Sequence, residues 1–244
     1  MKIITAAVIK GGTGKTTTAA ALIQAAAKDG KRSLAVDLDP QGNLSFTLAG
    51  DLTLPGAYDL LHGRNISDTI QTTPQGIDLI ASSPDLSTEK TSPGSAKRLE
   101  EALSTIKRRY DFIVIDTPPT MGELSYNALQ AATGLIIPLE ADLYSLQGLY
   151  QIVDIADQIK SSNKRLKILG TVVTRYNGRA RIRKQLLEII SEKGKEAGAP
   201  LLGAIRQGIA VGEAQALQVS LFEYAPKSNP AQDYQTLYKK IMEG

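Results

Sequence analysis

The chain has 244 residues, enough for one large domain with its own core. It has no cysteine, which excludes disulfides, thiolate metal centres and a cysteine nucleophile, and its single histidine, His62, excludes a multi-histidine metal site. Against 28 Lys and Arg stand 25 Asp and Glu, a net charge of +3, so only the distribution of charge along the chain can point to a polyanionic partner.

The first apolar run is Ile3–Ile9. It is far short of the roughly 18 residues of a membrane span, and it lacks the small-residue cleavage pattern of a signal peptide. It reads as a buried strand, and the protein as cytoplasmic. Ala19, Leu22, Ile23 and Ala26 then follow helical spacing. Further strands are expected at Ser33–Asp37, Ile77–Ala81, Phe112–Asp116, Gly134–Leu139 and Ile168–Thr174. All are nearly continuous in Val, Ile, Leu and Ala, as in a parallel sheet covered on both faces. Helical spacing returns at Leu149, Ile152, Val153 and Ala156, then at Ile182, Leu186, Ile189 and Ile190, and last at Tyr234, Leu237, Tyr238 and Ile241. The alternation predicts an α/β fold: a doubly wound, mostly parallel sheet flanked by helices, in a single domain spanning 1–244. Loops 39–55, 82–95 and 117–123 are expected to be mobile.

The first strand runs into Lys10-Gly11-Gly12-Thr13-Gly14-Lys15-Thr16-Thr17, and a helix follows. Glycines let successive backbone N–H groups turn toward phosphate oxygens, and the helix N-terminus adds its positive dipole end. In such a loop Lys15 reaches the β/γ-phosphates and the Thr16 hydroxyl binds Mg²⁺. Two strands end in carboxylates, Asp37-Leu38-Asp39 and Asp116, on the rim where open α/β sheets bind ligands. Asp116 after an apolar run reads as the aspartate that holds Mg²⁺, directly or through water.

The strict nucleotide loop has glycine where this chain has Ile9, and Lys10 stands early in the loop. This K-G-G-x-G-K-T-T form resembles the ParA/MinD group of P-loop ATPases. The resemblance runs from Lys2 to Met242 and includes Leu60-Leu61-His62-Gly63, Ile77–Ser82, Glu213-Ala214 and Tyr224-Ala225-Pro226. It implies an ATP-bound sandwich dimer in which Lys10 crosses to the partner's nucleotide. It implies that Asp39, in switch I, orients the attacking water and belongs with Thr16 and Asp116 to the metal set. Asp37 falls near the metal, and 117–123 becomes switch II. Lys10, Lys15 and Asp39 are the expected catalytic residues. Lys10, Gly11, Gly12, Thr13, Gly14, Lys15, Thr16 and Thr17 are the expected ATP contacts, joined on the base side by Thr174 and Arg206.

Within the group, the chain resembles the short, Soj-like partition ATPases that start at the first strand without a helix-turn-helix extension. The missing cysteines separate it from the nitrogenase iron protein and the arsenite pump. Nine basic residues and no acid lie between Lys160 and Leu187. Leu186, Ile189 and Ile190 are expected to bury one helix side and leave Arg181 and Lys184 outward. Such a stripe neutralises phosphates without reading sequence. The resemblance assigns Arg179 to non-specific DNA binding. Arg181, Arg183 and Lys184 are expected to compensate for Ala210, which stands where relatives have a second arginine. Arg206 stands where relatives often have proline. His62 is expected to be structural.

The implied function is ATP-driven DNA segregation: a slow ATPase whose ATP-bound homodimer coats nucleoid DNA and is released when a ParB-like partner stimulates hydrolysis. The rivals are a MinD-like membrane-surface ATPase, a ParA-like positioner of protein cargo, and a metabolic ligase on the same loop. The short C-terminal apolar stripe reads as a core face, so no membrane partner is expected.

Overall fold

A computed structural model describes residues 1–88, 97–142 and 144–243. Residues 89–95 of the expected mobile loop 82–95 lie outside them. Eight strands form one sheet: β1 (Lys2–Ala6), β2 (Ser33–Asp37), β3 (Gln71–Thr72), β4 (Asp78–Ile80), β5 (Phe112–Asp116), β6 (Gly134–Glu140), β7 (Lys167–Tyr176) and β8 (Leu201–Arg206). Their order is β3-β4-β2-β5-β1-β6-β7-β8, and every pairing is parallel except β3 with β4. The expected doubly wound sheet is therefore present.

Alternate residues of the central strands face opposite layers. Ile4, Val114 and Ile136 pack with α1 (Lys15–Lys28) and α10 (Asn229–Glu243). Ile3, Ile113 and Ile115 pack with α3 (Ala57–Leu61), α4 (Arg98–Thr105) and α5 (Glu123–Ala131). Leu135, Ile137 and Val173 extend that second layer under α6 (Tyr144–Ile159). The remaining helices are α2 (Asn43–Thr47), α7 (Arg181–Glu196), α8 (Ile209–Ala216) and α9 (Leu221–Tyr224).

Strand boundaries depart from expectation where the chain must leave the sheet. The first strand ends at Ala6, three residues early, because residues 7–10 already turn: the Lys10 N–H donates to the Val8 carbonyl at 3.0 Å. Residues 39–55 are not all loop, since α2 forms where Ser45 is drawn to Asp37. The edge strand β8 was not expected. It is half-buried over most of its length and contains Gly203-Ala204, so it shows neither a continuous apolar run nor clean alternation.

The C-terminal stripe is a core face, as expected. Tyr234, Leu237, Tyr238 and Ile241 are all buried against the layer holding α1. Tyr238 meets Phe112 edge-on at 5.7 Å, and Lys2 Nζ donates to the Ile241 and Met242 carbonyls at 2.7 and 2.9 Å. That ammonium satisfies carbonyls left open at the helix end. Among the described residues no helix is long and apolar enough to cross a membrane.

On α7 the expected burial is only partly met. Ile190 is buried, Leu186 is half-buried, and Ile189 and Ile182 are exposed, at 37% and 60%. The helix seats through its C-terminal half, where Gly194 lets the backbone approach the Ala199 carbonyl.

Candidate functional site

The register places the ends of three strands side by side: Ala6 beside Asp116, and Asp116 beside Asp37. The glycine loop leaves β1 at this rim. Gly12 and Gly14 have φ of +75° and +85°, the left-handed region that favours glycine. A side chain at Gly14 would also meet Thr174 at 3.2 Å. The N–H groups of Gly11, Gly12, Thr13 and Gly14 donate to no protein group among the described residues. Gly14 is the N-cap of α1 and offers no side-chain cap, so the helix start is open as well. Lys15 is 6% exposed, and its ammonium donates to the Lys10 carbonyl at 3.0 Å. Burial lowers its pKa, while Asp116 and Asp39 oppose that fall.

Asp37 is fully buried and accepts from the Ser45 N–H (2.8 Å), the Ser45 hydroxyl (2.7 Å) and the Asp39 N–H (3.1 Å). Burial outweighs these bonds and pushes its carboxyl up to about 6. Burial raises Asp116 well above the usual carboxylate range, and Asp37 adds to the rise; the nearby Thr16 hydroxyl opposes it without reaching hydrogen-bond geometry. Neither Asp116 oxygen has a hydrogen-bond partner among the described residues. Asp39 is buried, accepts from the Gln41 N–H at 3.0 Å, and faces the same cleft as Lys15.

No three His, Asp or Glu side chains among the described residues form a cage able to hold a cation alone. Magnesium does not ask for one. It keeps several waters and takes one or two protein oxygens plus substrate phosphates. The two bare oxygens of Asp116 beside the Thr16 hydroxyl fit that need.

A cleft of about 740 Å³ opens above the loop. Of the expected site residues, Gly11, Gly12, Gly14, Lys15, Thr16, Thr17, Asp39, Thr174 and Arg206 line it. Thr13 lies behind the loop, its backbone carbonyl held by the Thr174 hydroxyl at 2.8 Å. Arg206 turns its guanidinium onto Asp233, with contacts of 2.7 and 2.9 Å. Lys10 points aside, its ammonium 2.7 Å from Asp142. Burial works against Asp142, but Lys10 and the Ser145 N–H together hold its carboxyl below the usual range.

Several lining residues were not foreseen. The far wall is Gln207, Gly208, Val211, Gly212 and Gln215, from the β8–α8 turn and α8. The Gly208–Gly212 spacing, two side-chain-free positions one helical turn apart, was the available signal. By sequence, Arg175 is one of the nine basic residues between Lys160 and Leu187 and carries no other signal. In the structure its guanidinium meets the Gly12 carbonyl and pairs with Glu140.

The stripe itself divides. Lys160 pairs with Asp157 and Arg165 with Glu100, each at 2.7 Å. Arg179, Arg181, Arg183 and Lys184 are exposed together at the start of α7. Ala210 is half-buried against the core. His62 stacks on Tyr58 at 4.1 Å between ring centroids, away from the cleft.

Residues 1–168 match the family model described as an AAA domain. Over 236 residues the chain is 34% identical to the chromosome-partitioning ATPase Soj of Thermus thermophilus, covering 96% of this chain and 92% of that protein. It shares 28% identity and a TM-score of 0.88 with a Mycobacterium smegmatis protein described as cobyrinic acid a,c-diamide synthase, solved with an ATP analogue and magnesium; the match covers 100% of this chain and 94% of that one. Against the septum site-determining protein MinD of Pyrococcus horikoshii, complexed with Mg-ADP, the values are 25% and 0.81, over 98% of this chain and 95% of that one. With an open glycine loop, a buried lysine and an unpartnered strand-end aspartate on this sheet, the chain belongs to the Soj/ParA branch of the ParA/MinD P-loop ATPases.

Proposed function

We propose that this partition ATPase binds ATP and Mg²⁺ on residues 10–17, pairs with a second copy, and in that state holds DNA without reading its sequence. The observation that carries the nucleotide reading is the row of undonated N–H groups from Gly11 to Gly14, next to Lys15 and the bare carboxylate of Asp116. These donors and the Lys15 ammonium receive the β- and γ-phosphate oxygens. Asp116 and Thr16 hold the metal, which neutralises charge on those oxygens. Asp39 orients a water whose oxygen bonds to the γ-phosphorus as the β–γ bridging oxygen leaves with ADP. Little covalent chemistry falls to the protein, so one placed carboxylate suffices. Lys10 leaves Asp142 and reaches the nucleotide of the second copy.

The DNA reading rests on Arg179, Arg181, Arg183 and Lys184. Three of them occupy the first turn of α7, where the helix dipole disfavours cations by about 0.3–1 kcal/mol each at exposed sites. A cluster held against its own helix dipole matches an external polyanion. Release on hydrolysis, stimulated by a ParB-like adaptor on a centromere site, completes the cycle at the nucleoid.

The test is binding to random-sequence duplex DNA with ATP, ADP or no nucleotide, at low and moderate salt, with liposomes in parallel. The expected result is ATP-dependent, salt-sensitive DNA binding that Lys10→Ala abolishes. Liposome binding without DNA binding would favour the MinD-like alternative, against which stands the burial of the α10 stripe in the core.

A further inference from the structure

Three side chains hold backbone carbonyls of the glycine loop, and the two that do so from outside it are consecutive in sequence. The Thr174 hydroxyl reaches the Thr13 carbonyl at 2.8 Å, and the Arg175 guanidinium reaches the Gly12 carbonyl. Lys15 holds the Lys10 carbonyl. Arg175 has φ of +49°, a left-handed backbone that costs a side-chain-bearing residue energy. The β7–β8 register shifts between Val173 and Tyr176, and the chain thereby leaves the ordinary in-out alternation. The guanidinium is exposed to the cleft, and the same Nη2 that meets the Gly12 carbonyl also pairs with Glu140, the last residue of β6.

A trans peptide points its C=O and the next N–H in opposite directions. Pinning the Gly12 carbonyl therefore aims the Thr13 N–H away from Arg175. Pinning the Thr13 carbonyl aims the Gly14 N–H away from Thr174. These are two of the donors that no protein group uses. We propose that Thr174 and Arg175 form a carbonyl clamp that preorganises the phosphate loop, with Arg175 a positioning residue for nucleotide binding and Glu140 orienting its guanidinium. The clamp rests on the reading of residues 11–14 as a phosphate site. It acts on the loop in the free protein, so ADP and ATP benefit alike, and ground state and transition state benefit alike.

The experiment compares wild type, Arg175→Ala, Arg175→Lys, Glu140→Gln and Thr174→Val in Mg-ADP and Mg-ATP binding, in steady-state hydrolysis, and in backbone ¹⁵N order parameters of the nucleotide-free protein. Loss of a charge-assisted hydrogen bond predicts about tenfold weaker binding of both nucleotides in Arg175→Ala. KM should rise by the same factor, with kcat within about twofold, the signature of a weakened uniform binding interaction. Arg175→Lys should recover most of the affinity, and Glu140→Gln should fall between. The backbone ¹⁵N order parameter of Thr13 should fall in Arg175→Ala, and that of Gly14 in Thr174→Val. Wild-type affinity with an unchanged Thr13 order parameter in Arg175→Ala overturns the clamp, as does a fall in kcat at constant KM. If Arg175→Ala does not fold, Glu140→Gln decides by the same two readouts. A wild-type protein that binds neither nucleotide would instead overturn the phosphate-loop reading itself.

Discussion

Lys10 and Asp142 face each other across 2.7 Å, each about a third exposed. Pairs so exposed contribute about 0–1 kcal/mol. The pair thus restrains Lys10 only lightly, and on the proposal that each Lys10 leaves its Asp142 when two copies pair, Asp142→Asn should favour the ATP-bound dimer by up to about fivefold for each lysine released, read by sedimentation at fixed ATP. Deeper in the rim the charges act on stability. Asp37 and Asp116 both bind protons more tightly folded than unfolded. Their contribution is complete below about pH 4, where the unfolded carboxyls are protonated too. It is lost as pH rises, through about 6 for Asp37. Metal-free protein should therefore melt higher at pH 5 than at pH 7.5, and Asp116→Asn should narrow that gap. Asp116→Asn should also raise the melting temperature at pH 7.5, by about 2–4 °C per kcal/mol of relieved strain, while abolishing hydrolysis. The place of the glycine loop between β1 and α1, and of Asp37 and Asp116 at strand ends, was legible because each follows from a run that is local in sequence. Asp142 and Glu140 were not: Lys10 and Asp142 are 132 residues apart, and only the β1–β6 pairing brings them together.

At the level of elements, α7 and α10 carry opposite kinds of face. The stripe of α10 is sealed in the core, so Leu237→Ala should destabilise by about 2–5 kcal/mol, measured by urea unfolding. The first turn of α7 is cationic and open. Replacing Arg181, Arg183 and Lys184 together with Ala should leave unfolding nearly unchanged. It should weaken DNA binding and flatten the log–log salt dependence by about 2–3, at roughly 0.9 for each phosphate no longer neutralised. Helical spacing announced α1, α6 and α10 because each buries a full stripe. It misled at α7, where Ile182 and Ile189 keep the period but lie over solvent. Helix α8 escaped notice because it divides its residues between the core, which takes Ala210 and Ala214, and the cleft, which takes Gly212 and Gln215, so no full apolar stripe runs along it.

Across the whole molecule, the sheet order was only partly implied by the alternation of strands and helices. That alternation predicts parallel neighbours and crossovers, but not which strand stands at the centre. Here β1 lies between β5 and β6. Its first hydrogen-bonded neighbours come more than 100 residues later in the chain, as in the Ile3 N–H to Thr133 bond, and Lys2 closes on Ile241 across 239 residues. Synthesis therefore delivers β1 first and both of its neighbours late, with the β2–β4 flank made before β5 can join it to β1. A nascent chain halted before β6 leaves β1 with one edge unpaired, an apolar ribbon open to stray pairing. Folding on the ribosome has to wait, and the strand that carries the phosphate loop is the one kept waiting longest.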